Sequence, residues 1–277
     1  MPPDPSATPS RAWSLPLRSL EVLGVRVDDV TYVEALVHCQ AFIHEGGPHL
    51  VATVNTEFVM AAQRDDEFRR VLNGAALAVP DGVGLLSAAR LAGHPLREHV
   101  RGTDMVDQLA CLAAVKGYRL FLLGGRGGAA EEAGAVLRQR WPGLVVAGCF
   151  EGCPDPACDE ETVAAVRAAG PVDIVLVAYG APAQEKWIAR NLGATGAAVG
   201  VGVGGVFNFF AGRSPRAPRW VRRLELEWLF RLLTEPWRWR RQLALARFVL
   251  TCLKLGLAGR TVVREVSIGR ALGGDSH

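Results

Sequence analysis

From about Leu17 onward, short apolar runs alternate with longer segments in which apolar residues recur every three or four positions. The short runs, such as YRLFLLGG, are continuously apolar, which indicates strands buried on both faces of a mostly parallel sheet. The longer segments, such as TYVEALVHCQAFIHEG, predict amphipathic helices. Regular alternation of the two predicts an α/β fold with a mostly parallel, Rossmann-like sheet flanked by helices.

Individual elements follow from this pattern. SLEVLGVRVDDV predicts a strand pair or a strand and turn, and TEFVMAAQRDDEFRRVLNGA predicts a helix or helix pair. The remaining predicted strands are HLVATVN, LAVP, YRLFLLGG, LVVAGCFEG and DIVLVAYG, with AAVGVGVGGVFNFFAG as a strand and loop. In the first helix, the residues expected on the apolar side are Tyr32, Val33, Leu36, Val37 and Ile43.

Composition divides the chain into four predicted segments. Residues 1–16 contain five Pro and no apolar signal-peptide core, which predicts a flexible leader and no export. Residues 17–213 form the predicted α/β core, and residues 214–265 a basic, Arg- and Trp-rich helical appendage that faces a membrane. Residues 266–277 are predicted to be a flexible tail.

The positive charge is concentrated in the appendage. Between Arg213 and Arg247 there are 10 Arg and 3 Glu, a balance of +7, so the rest of the chain carries −4 of the total of +3. Arg is preferred where phosphate is bound bidentately, and interleaved Trp is typical of a membrane interface. The alternative is a non-enzymatic module that binds nucleic acid or an anionic surface, but the acidic core argues against it. We therefore expect an anionic membrane surface as a partner and no nucleic acid.

The apolar segment LALARFVLTCLKLGLAG near the end of the chain is interrupted by Arg247 and Lys254 and is short for a membrane-spanning helix. Arg247, Thr251, Lys254 and Ala258 would share one stripe of such a helix, with apolar residues around the rest. This pattern predicts a helix that lies in an interface or docks in a groove. The protein is therefore expected to be peripheral on the membrane.

Six Cys are scattered along the chain and do not form the framework of a disulfide-stabilised protein. A reducing, cytoplasmic compartment is the simpler interpretation. Cys149, Cys153 and Cys158 lack the paired spacing of a zinc site, and no His follows nearby, so no metal site is predicted there.

Polar residues follow several predicted strands. Thr53 and Asn55 come at the end of HLVATVN, and Asp81 comes directly after LAVP. Because the carboxyl ends of parallel strands meet at one edge of the sheet, we expect these side chains at the rim of a site, where Gly82 and Gly84 allow close approach. The alternative for Asp81 is the cap of the following helix, which its position alone favours.

A glycine-rich turn in LLGGRGGAAEEAG matches G-x-G-x-x-A from Gly125 to Ala130. The match raises the alternative of an NAD-dependent oxidoreductase, with Glu151 as the acid that binds the ribose. However, the fingerprint belongs after the first strand of a Rossmann unit, and several elements precede it here. A weaker prediction is that backbone N–H groups near Gly124 and Gly125 bind a nucleotide phosphate, and a tight turn without a ligand is equally compatible.

Several motifs together carry a resemblance to a known family. They are TVNTEFVMAAQRDDEFRRVLNGAALAVPDGVGLLSAARL, VRGTDMV, YRLFLLGG, DIVLVAYGAPAQEKWI, GVGGVFNFFAGRSPRAPRW and LEWLFRLLTEPWRWRRQ. Their order and spacing from about Leu20 to about Arg247 resemble the WecG/TagA/CpsF family of bacterial glycosyltransferases. The combination of the T-x-N, P-D-G and G-x-P-x-Q-E motifs with the tail motifs makes this resemblance specific.

The resemblance implies an inverting transfer of an N-acetylmannosamine-type sugar (ManNAc, ManNAcA or a related hexose) from a UDP donor to polyprenyl-diphosphate-linked GlcNAc. Such a reaction serves the synthesis of cell-surface polysaccharide or teichoic-acid-type polymers, at the inner face of the cell membrane. The family uses no divalent metal, so no cofactor is expected. Association with further copies of the chain stays open.

The resemblance also assigns roles to residues. Asp81 matches the proposed base, Thr53 the active-site threonine and Gln184 a pocket glutamine, and Asn55 is expected to contact the sugar. We also expect the substrate to contact Tyr179, Gly82, Gly124 and Gly125, together with Arg216, Arg219, Arg222 and Arg223 of the appendage.

The residues agree with these roles in part. An inverting transfer needs one carboxylate base and stabilisation of the departing diphosphate, and the core contains no Asp-x-Asp metal motif, which leaves Arg and backbone amides for the diphosphate. Two positions depart from the family pattern. Asn208 stands where an acidic residue is expected, and Glu225 stands where glycine is expected.

Overall fold

The computed structural model describes residues 17–214, 218, 221, 229–230, 239–257 and 261–267. Its centre is a six-stranded sheet in the order β4-β3-β8-β7-β5-β6. Every neighbouring pair in this sheet is parallel. The strands are β3 (His49–Val54), β4 (Leu77–Pro80), β5 (Arg119–Gly124), β6 (Val145–Phe150), β7 (Ile174–Ala178) and β8 (Val199–Gly202). The predicted α/β fold with a parallel sheet is confirmed.

Helices connect these strands and cover both faces of the sheet. In the described residues they are α1 (Tyr32–Glu45), α2 (Thr56–Ala62), α3 (Asp66–Asn73), α4 (Val83–Leu91), α5 (Gly102–Lys116), α6 (Ala129–Arg140), α7 (Asp159–Ala168), α8 (Ala183–Thr195), α9 (Val206–Phe210) and α10 (Trp239–Leu257). A short 3-10 turn at Pro156–Cys158 precedes α7. The predicted pair of helices after β3 is therefore present as α2 and α3.

Two apolar layers enclose the sheet. In β7, Val175 and Val177 belong to one layer, and Ile174 and Leu176 belong to the other. Successive side chains of a strand point to opposite faces, so both sets need apolar residues. This geometry explains why the strands are continuously apolar in the sequence.

The apolar side predicted for α1 is only partly correct. The structure buries Ala35, His38, Cys39 and Phe42, whereas Val33 is 70% exposed. Of the predicted residues, Tyr32, Leu36 and Ile43 are half-buried and pack against the same apolar layer, at the edge of the buried face. The buried set includes the polar His38, so a prediction based on the spacing of large apolar residues does not identify this face.

A second, three-stranded antiparallel sheet has the order β2-β1-β9. Its strands are β1 (Arg18–Val22), β2 (Val25–Asp28) and β9 (Val263–Ser267), and Leu20 pairs with Glu265. The prediction of a helical segment up to residue 265 and a flexible tail from residue 266 is wrong at this point. The β-branched Val residues of VREVS suit a strand, and Val263 is buried in the core against the start of the chain.

The cysteines also differ from expectation. Cys153 and Cys158 form a disulfide, whereas we predicted none. The loop after β6 returns through the 3-10 turn, which brings the two Cα atoms to 5.9 Å from each other. Cys39, Cys111, Cys149 and Cys252 are free.

The C-terminal helix α10 packs against α2 and α4 of the core. Its Phe248 is fully buried and belongs to the same apolar layer as Trp187. This contact agrees with the prediction of a helix that docks in a groove. Within the part of the chain that the structure describes, no helix is both long and apolar enough to cross a bilayer.

Candidate active site

A cavity of about 1310 Å³ lies at the carboxyl ends of the parallel strands. This is the edge at which ligands bind in open α/β sheets. Most of the predicted core site residues line it: Thr53, Asn55, Asp81, Gly82, Gly125, Tyr179 and Gln184. The structure therefore brings together residues that are separated by up to 131 positions in the sequence.

Asp81 follows β4 directly and lies at the cavity wall. Its Oδ1 is 3.2 Å from Nε2 of His99, and its Oδ2 accepts a hydrogen bond from the backbone N–H of Gly102 at 3.4 Å. The cap of α4 is Gly82, and no side chain makes a cap hydrogen bond there. Asp81 is therefore not the cap of the following helix, and its carboxylate lies at the cavity instead.

His99 connects Asp81 to the backbone beside it. The N–H of Gly82 donates to Nε2 of His99 at 2.9 Å. Gly82 has a φ of 124°, a conformation that favours glycine over residues with a side chain. The glycine of the P-D-G motif is thus needed for the backbone turn that places both its own N–H and the Asp81 carboxylate against one imidazole nitrogen.

Thr53 lies near the end of β3 and pairs with Val79 of β4, two residues before Asp81. Its hydroxyl donates to the carbonyl oxygen of Gly202 at 3.3 Å. A Cβ atom added at Gly102 would lie 3.5 Å from Asp81 Oδ2 and 3.8 Å from Thr53 Cγ2. The first turn of α5 therefore faces both Thr53 and Asp81 at close range.

Asn55 has a structural role in addition to the predicted one. Its Oδ1 accepts from the backbone N–H of Phe58 at 3.1 Å and caps α2. The side chain also lines the cavity. Any contact to a sugar would have to preserve this capping bond, which leaves the amide NH₂ group for the ligand.

Gln184 joins the loops that follow β7 and β8. Its Oε1 accepts from the backbone N–H groups of Gly180 at 3.0 Å and Gly204 at 2.9 Å, and its Nε2 donates to Glu185 Oε1 at 2.6 Å. Glu185 is completely buried, and this burial raises the pKa of its carboxyl to about 7. Gln184 thus lies at the predicted place, where its hydrogen bonds hold the cavity floor together.

The model of the Glycosyl transferase WecG/TagA/CpsF family matches residues 20–261. The chain belongs to this glycosyltransferase family. It is 35% identical over 205 residues to an N-acetylglucosaminyldiphosphoundecaprenol N-acetyl-beta-D-mannosaminyltransferase of Bacillus subtilis (strain 168), covering 74% of this chain and 79% of that protein. It is 29% identical over 245 residues to a protein with the same name from Staphylococcus aureus (strain NCTC 8325 / PS 47), covering 88% and 94%. The predicted family membership and the prediction of a transferase are confirmed.

The glycine-rich turn is arranged differently from a dinucleotide fingerprint. Glu151 Oε2 accepts from the N–H of Gly127 at 3.0 Å, and Arg213 donates to the carbonyl oxygens of Arg126 and Gly127. Gly124 packs against Ala178 behind the cavity wall and is absent from the lining. The Glu151 carboxylate therefore already accepts the hydrogen bond from the Gly127 N–H. In the oxidoreductase alternative, this backbone N–H would bind the pyrophosphate of the dinucleotide.

Tyr179 presents its ring to the cavity. Its hydroxyl is buried beside Gly152, where an added Cβ atom would lie 2.5 Å away, and burial raises the pKa of this phenol to about 12. The ring contacts Trp187 edge-on, with 6.2 Å between the ring centroids. Tyr179 can therefore stack against a planar group, while its hydroxyl stays protonated and buried beside Gly152.

Two polar residues of the site, His99 and Arg101, were not predicted from the sequence. Both line the cavity, and the backbone N–H of Arg101 donates to the Tyr32 hydroxyl at 2.6 Å. The only sequence signal was the VRGTDMV motif, which contains Arg101 and begins next to His99. Isolated residues in a loop without periodicity give no stronger indication.

The appendage forms one wall of the cavity through α10. The sequence predicted only that this helix would lie in an interface or dock in a groove. One face of α10 lines the cavity with Leu245, Phe248, Val249, Cys252 and Leu253. An added Cβ atom at Gly84 would lie 2.6 Å from Leu245 Cδ1 and 2.8 Å from Thr56 Cγ2. The expected close approach at Gly84 is therefore made by α10.

Some predictions fall outside the described residues. These are Arg216, Arg219, Arg222, Arg223 and Glu225. Asn208, the other departure from the family pattern, lies in α9 and lines the cavity. Among the described residues, no group of three or more His, Cys, Asp and Glu side chains could hold a metal ion.

Proposed function

We propose that this glycosyltransferase moves an N-acetylmannosamine-type sugar from a UDP donor to GlcNAc linked through a diphosphate to a polyprenol, with inversion. The names of the two relatives support the sugar and the acceptor. The observation that carries the proposal is the Asp81 carboxylate at the cavity wall, with Nε2 of His99 at 3.2 Å from its Oδ1. Deprotonation of an acceptor hydroxyl requires a general base in such a position.

In the proposed reaction Asp81 takes the proton of the acceptor hydroxyl as the oxygen attacks the anomeric carbon. The new C–O bond forms on the face opposite the bond to UDP, which breaks with its electron pair on the leaving diphosphate. Inversion follows because the attack and the departure occur on opposite faces. His99 Nε2 lies 3.2 Å from Asp81 and can take up this proton only when it releases the N–H of Gly82.

The departing diphosphate needs positive charge or N–H donors. Arg101 lines the cavity at the start of α5, close to Asp81 and Gly102. We propose that Arg101, backbone amides and the appendage arginines Arg216, Arg219, Arg222 and Arg223 stabilise this charge, without a divalent metal. The roles of Thr53 and Gln184 are to position the loops around the donor sugar.

The acceptor carries a lipid, so the cavity has to meet a membrane surface. The Arg- and Trp-rich sequence of the appendage is suited to anionic headgroups, since each Arg near such a surface contributes about 1 kcal/mol. We therefore propose a peripheral location on the inner face of the cell membrane.

The proposed function can be tested with a panel of UDP-sugars and a short-chain prenyl-diphosphate-GlcNAc acceptor, followed by mass spectrometry. A product heavier than the acceptor by one N-acetylhexosamine, formed from UDP-ManNAc and not from UDP-GlcNAc, is the expected result. Another transferred hexose would correct the sugar alone. Absence of any transfer, with retention of the protein on a nicotinamide-dinucleotide resin, would instead support the oxidoreductase alternative.

A further inference from the structure

The cavity continues from Asp81 as a groove between α4 and α10. Along α4 it is lined by Val83, Gly84, Ser87, Ala88 and Leu91. Along α10 it is lined by Leu245, Phe248, Val249, Cys252 and Leu253. Both sets repeat every three or four residues, so each occupies a single face of its helix over several turns. Since α4 begins two residues after Asp81, its far end lies about 12 Å along the helix from the carboxylate end of the groove.

The chemical character changes along this groove. Near Asp81 the lining contains ionisable and polar side chains, and toward the end of α4 it is apolar. At that end Leu91 is 90% exposed, Leu253 57% and Val249 46%. Leu257, one turn beyond Leu253, continues the same stripe and is 90% exposed. Contiguous exposed apolar side chains of this size mark a surface that binds an apolar partner.

We propose that this groove binds the first isoprene units of the acceptor's polyprenyl chain. The inference rests on the proposed function, in which one molecule carries the reacting hydroxyl, the diphosphate and the hydrocarbon chain. With its hydroxyl at Asp81, the acceptor directs its chain away from the polar end of the cavity, and the groove supplies an apolar path that starts there. The donor is polar throughout its nucleotide, so it does not match an exposed apolar lining.

Leu250 allows binding of the chain in the groove to be distinguished from contact of α10 with a bilayer surface. It lies on the same helix as Leu253 and is 56% exposed, but it does not line the cavity. A bilayer touching the exposed side of α10 would contact both leucines. A chain bound within the groove contacts Leu253 and leaves Leu250 outside, which makes Leu250→Gln a matched control for Leu253→Gln.

The test compares two GlcNAc-diphosphate acceptors in detergent micelles, one with a full-length polyprenyl chain and one with a single isoprene unit. The measured quantity is the ratio of kcat/KM for the long acceptor to kcat/KM for the short one. We expect Leu253→Gln and Leu91→Gln each to lower this ratio about tenfold, and Leu250→Gln to leave it at the wild-type value. Thermal unfolding of each variant verifies that the fold is retained, as expected for substitutions at exposed positions.

Two results would overturn the proposal. One is an unchanged ratio in the Leu253 and Leu91 variants, and the other is an equal fall in the Leu250 variant, which would mean that the leucines contact the micelle surface alone. Failure of the proposed function has a different signature, because the wild-type protein would then transfer sugar to neither acceptor.

Discussion

Nε2 of His99 lies 3.2 Å from Oδ1 of Asp81, and the same nitrogen accepts the backbone N–H of Gly82. If the imidazole is neutral, this hydrogen bond requires that its proton be on Nδ1. In that state no proton lies between Nε2 and the nearer carboxylate oxygen of Asp81. A proton that Asp81 removes from a substrate can pass to Nε2 when the Gly82 N–H moves away, because Nε2 has a single lone pair. The pair is therefore suited to receive one proton per turnover.

The first prediction concerns Asp81. Asp81→Asn keeps the size of the side chain but removes the base, so kcat should fall about 10²- to 10⁴-fold. Affinity for UDP, measured by calorimetry, should stay near the wild-type value, since the substitution acts on the acceptor hydroxyl. A variant with almost full turnover would show that Asp81 has a structural role only.

The second prediction tests whether His99 takes part in proton transfer or only holds the loop in place. A Gln at this position can still accept from Gly82 and donate to Asp81, but it cannot take up a proton. We expect His99→Gln to lower kcat about tenfold with little change in KM, and to have a much smaller effect when Asp81 is already Asn. Equal turnover of His99→Gln and wild type, together with loss of activity in His99→Ala, would limit His99 to supporting the loop.

Metal independence is the third prediction. If Arg side chains and backbone amides hold the diphosphate, EDTA should leave the initial rate of transfer unchanged, and added Mg²⁺ or Mn²⁺ should not raise it. The measurement is the initial rate before and after chelation and dialysis. Loss of activity with EDTA and recovery with either ion would contradict the proposed stabilisation of the leaving group.

The fourth prediction concerns the contact between Gly84 and α10. Gly84→Ala places a methyl group within 2.6 Å of Leu245 Cδ1 and 2.8 Å of Thr56 Cγ2, so these side chains must move. We expect a loss of about 1–3 kcal/mol in the free energy of unfolding, measured with denaturant. Leu245→Ala in the same chain should restore part of it by making room.

Gly193→Ala is the matched control for Gly84→Ala. Gly193 also lies within a helix, but the nearest atom to an added Cβ is Pro48 Cγ at 3.6 Å, an ordinary contact. Alanine is the better helix former by about 0.5–1 kcal/mol, so this variant should be as stable as wild type or more stable. A similar loss of unfolding free energy in both variants would show that the close contact of Gly84 with α10 is not the cause.

The fifth prediction is a pH dependence of stability. Burial raises the pKa of Glu185 from 4.5 to about 7 in the folded protein. Between these values the unfolded chain has lost the proton that the folded chain retains, so stability is highest at low pH and falls as the pH rises through about 7. From pH 5 to pH 8 this group should lower the free energy of unfolding by up to about 3 kcal/mol.

Glu185→Gln provides the comparison for this pH dependence. Its side-chain oxygen can still accept from Gln184, but it does not titrate. The difference in unfolding free energy between variant and wild type should therefore grow with pH, in favour of the variant. A difference that is constant from pH 5 to pH 8 would show that Glu185 does not change its protonation state in this range.

The sequence predicted the parallel sheet and the place of Asp81 because both follow from local patterns. Continuous apolar runs indicate buried strands, and residues that follow parallel strands meet at one edge. His99 follows no strand of the sheet and reaches Asp81 only through tertiary folding, so no local pattern reveals it. The role of Gln184 was predictable only as a pocket position, because its bonds to Gly180 and Gly204 depend on the distance between two loops.

The strand β9 joins the two ends of the described chain, since Arg18 pairs with Ser267 and Val22 with Val263. This pairing links residues about as far apart as the chain allows, and contacts of such long range form late in folding. During synthesis on the ribosome, the residues of the six-stranded sheet and Asp81 emerge before residues 239–267. The nascent chain therefore contains the proposed base before it contains the helix that lines the cavity, and the cavity is complete only after residues 239–267 have been added.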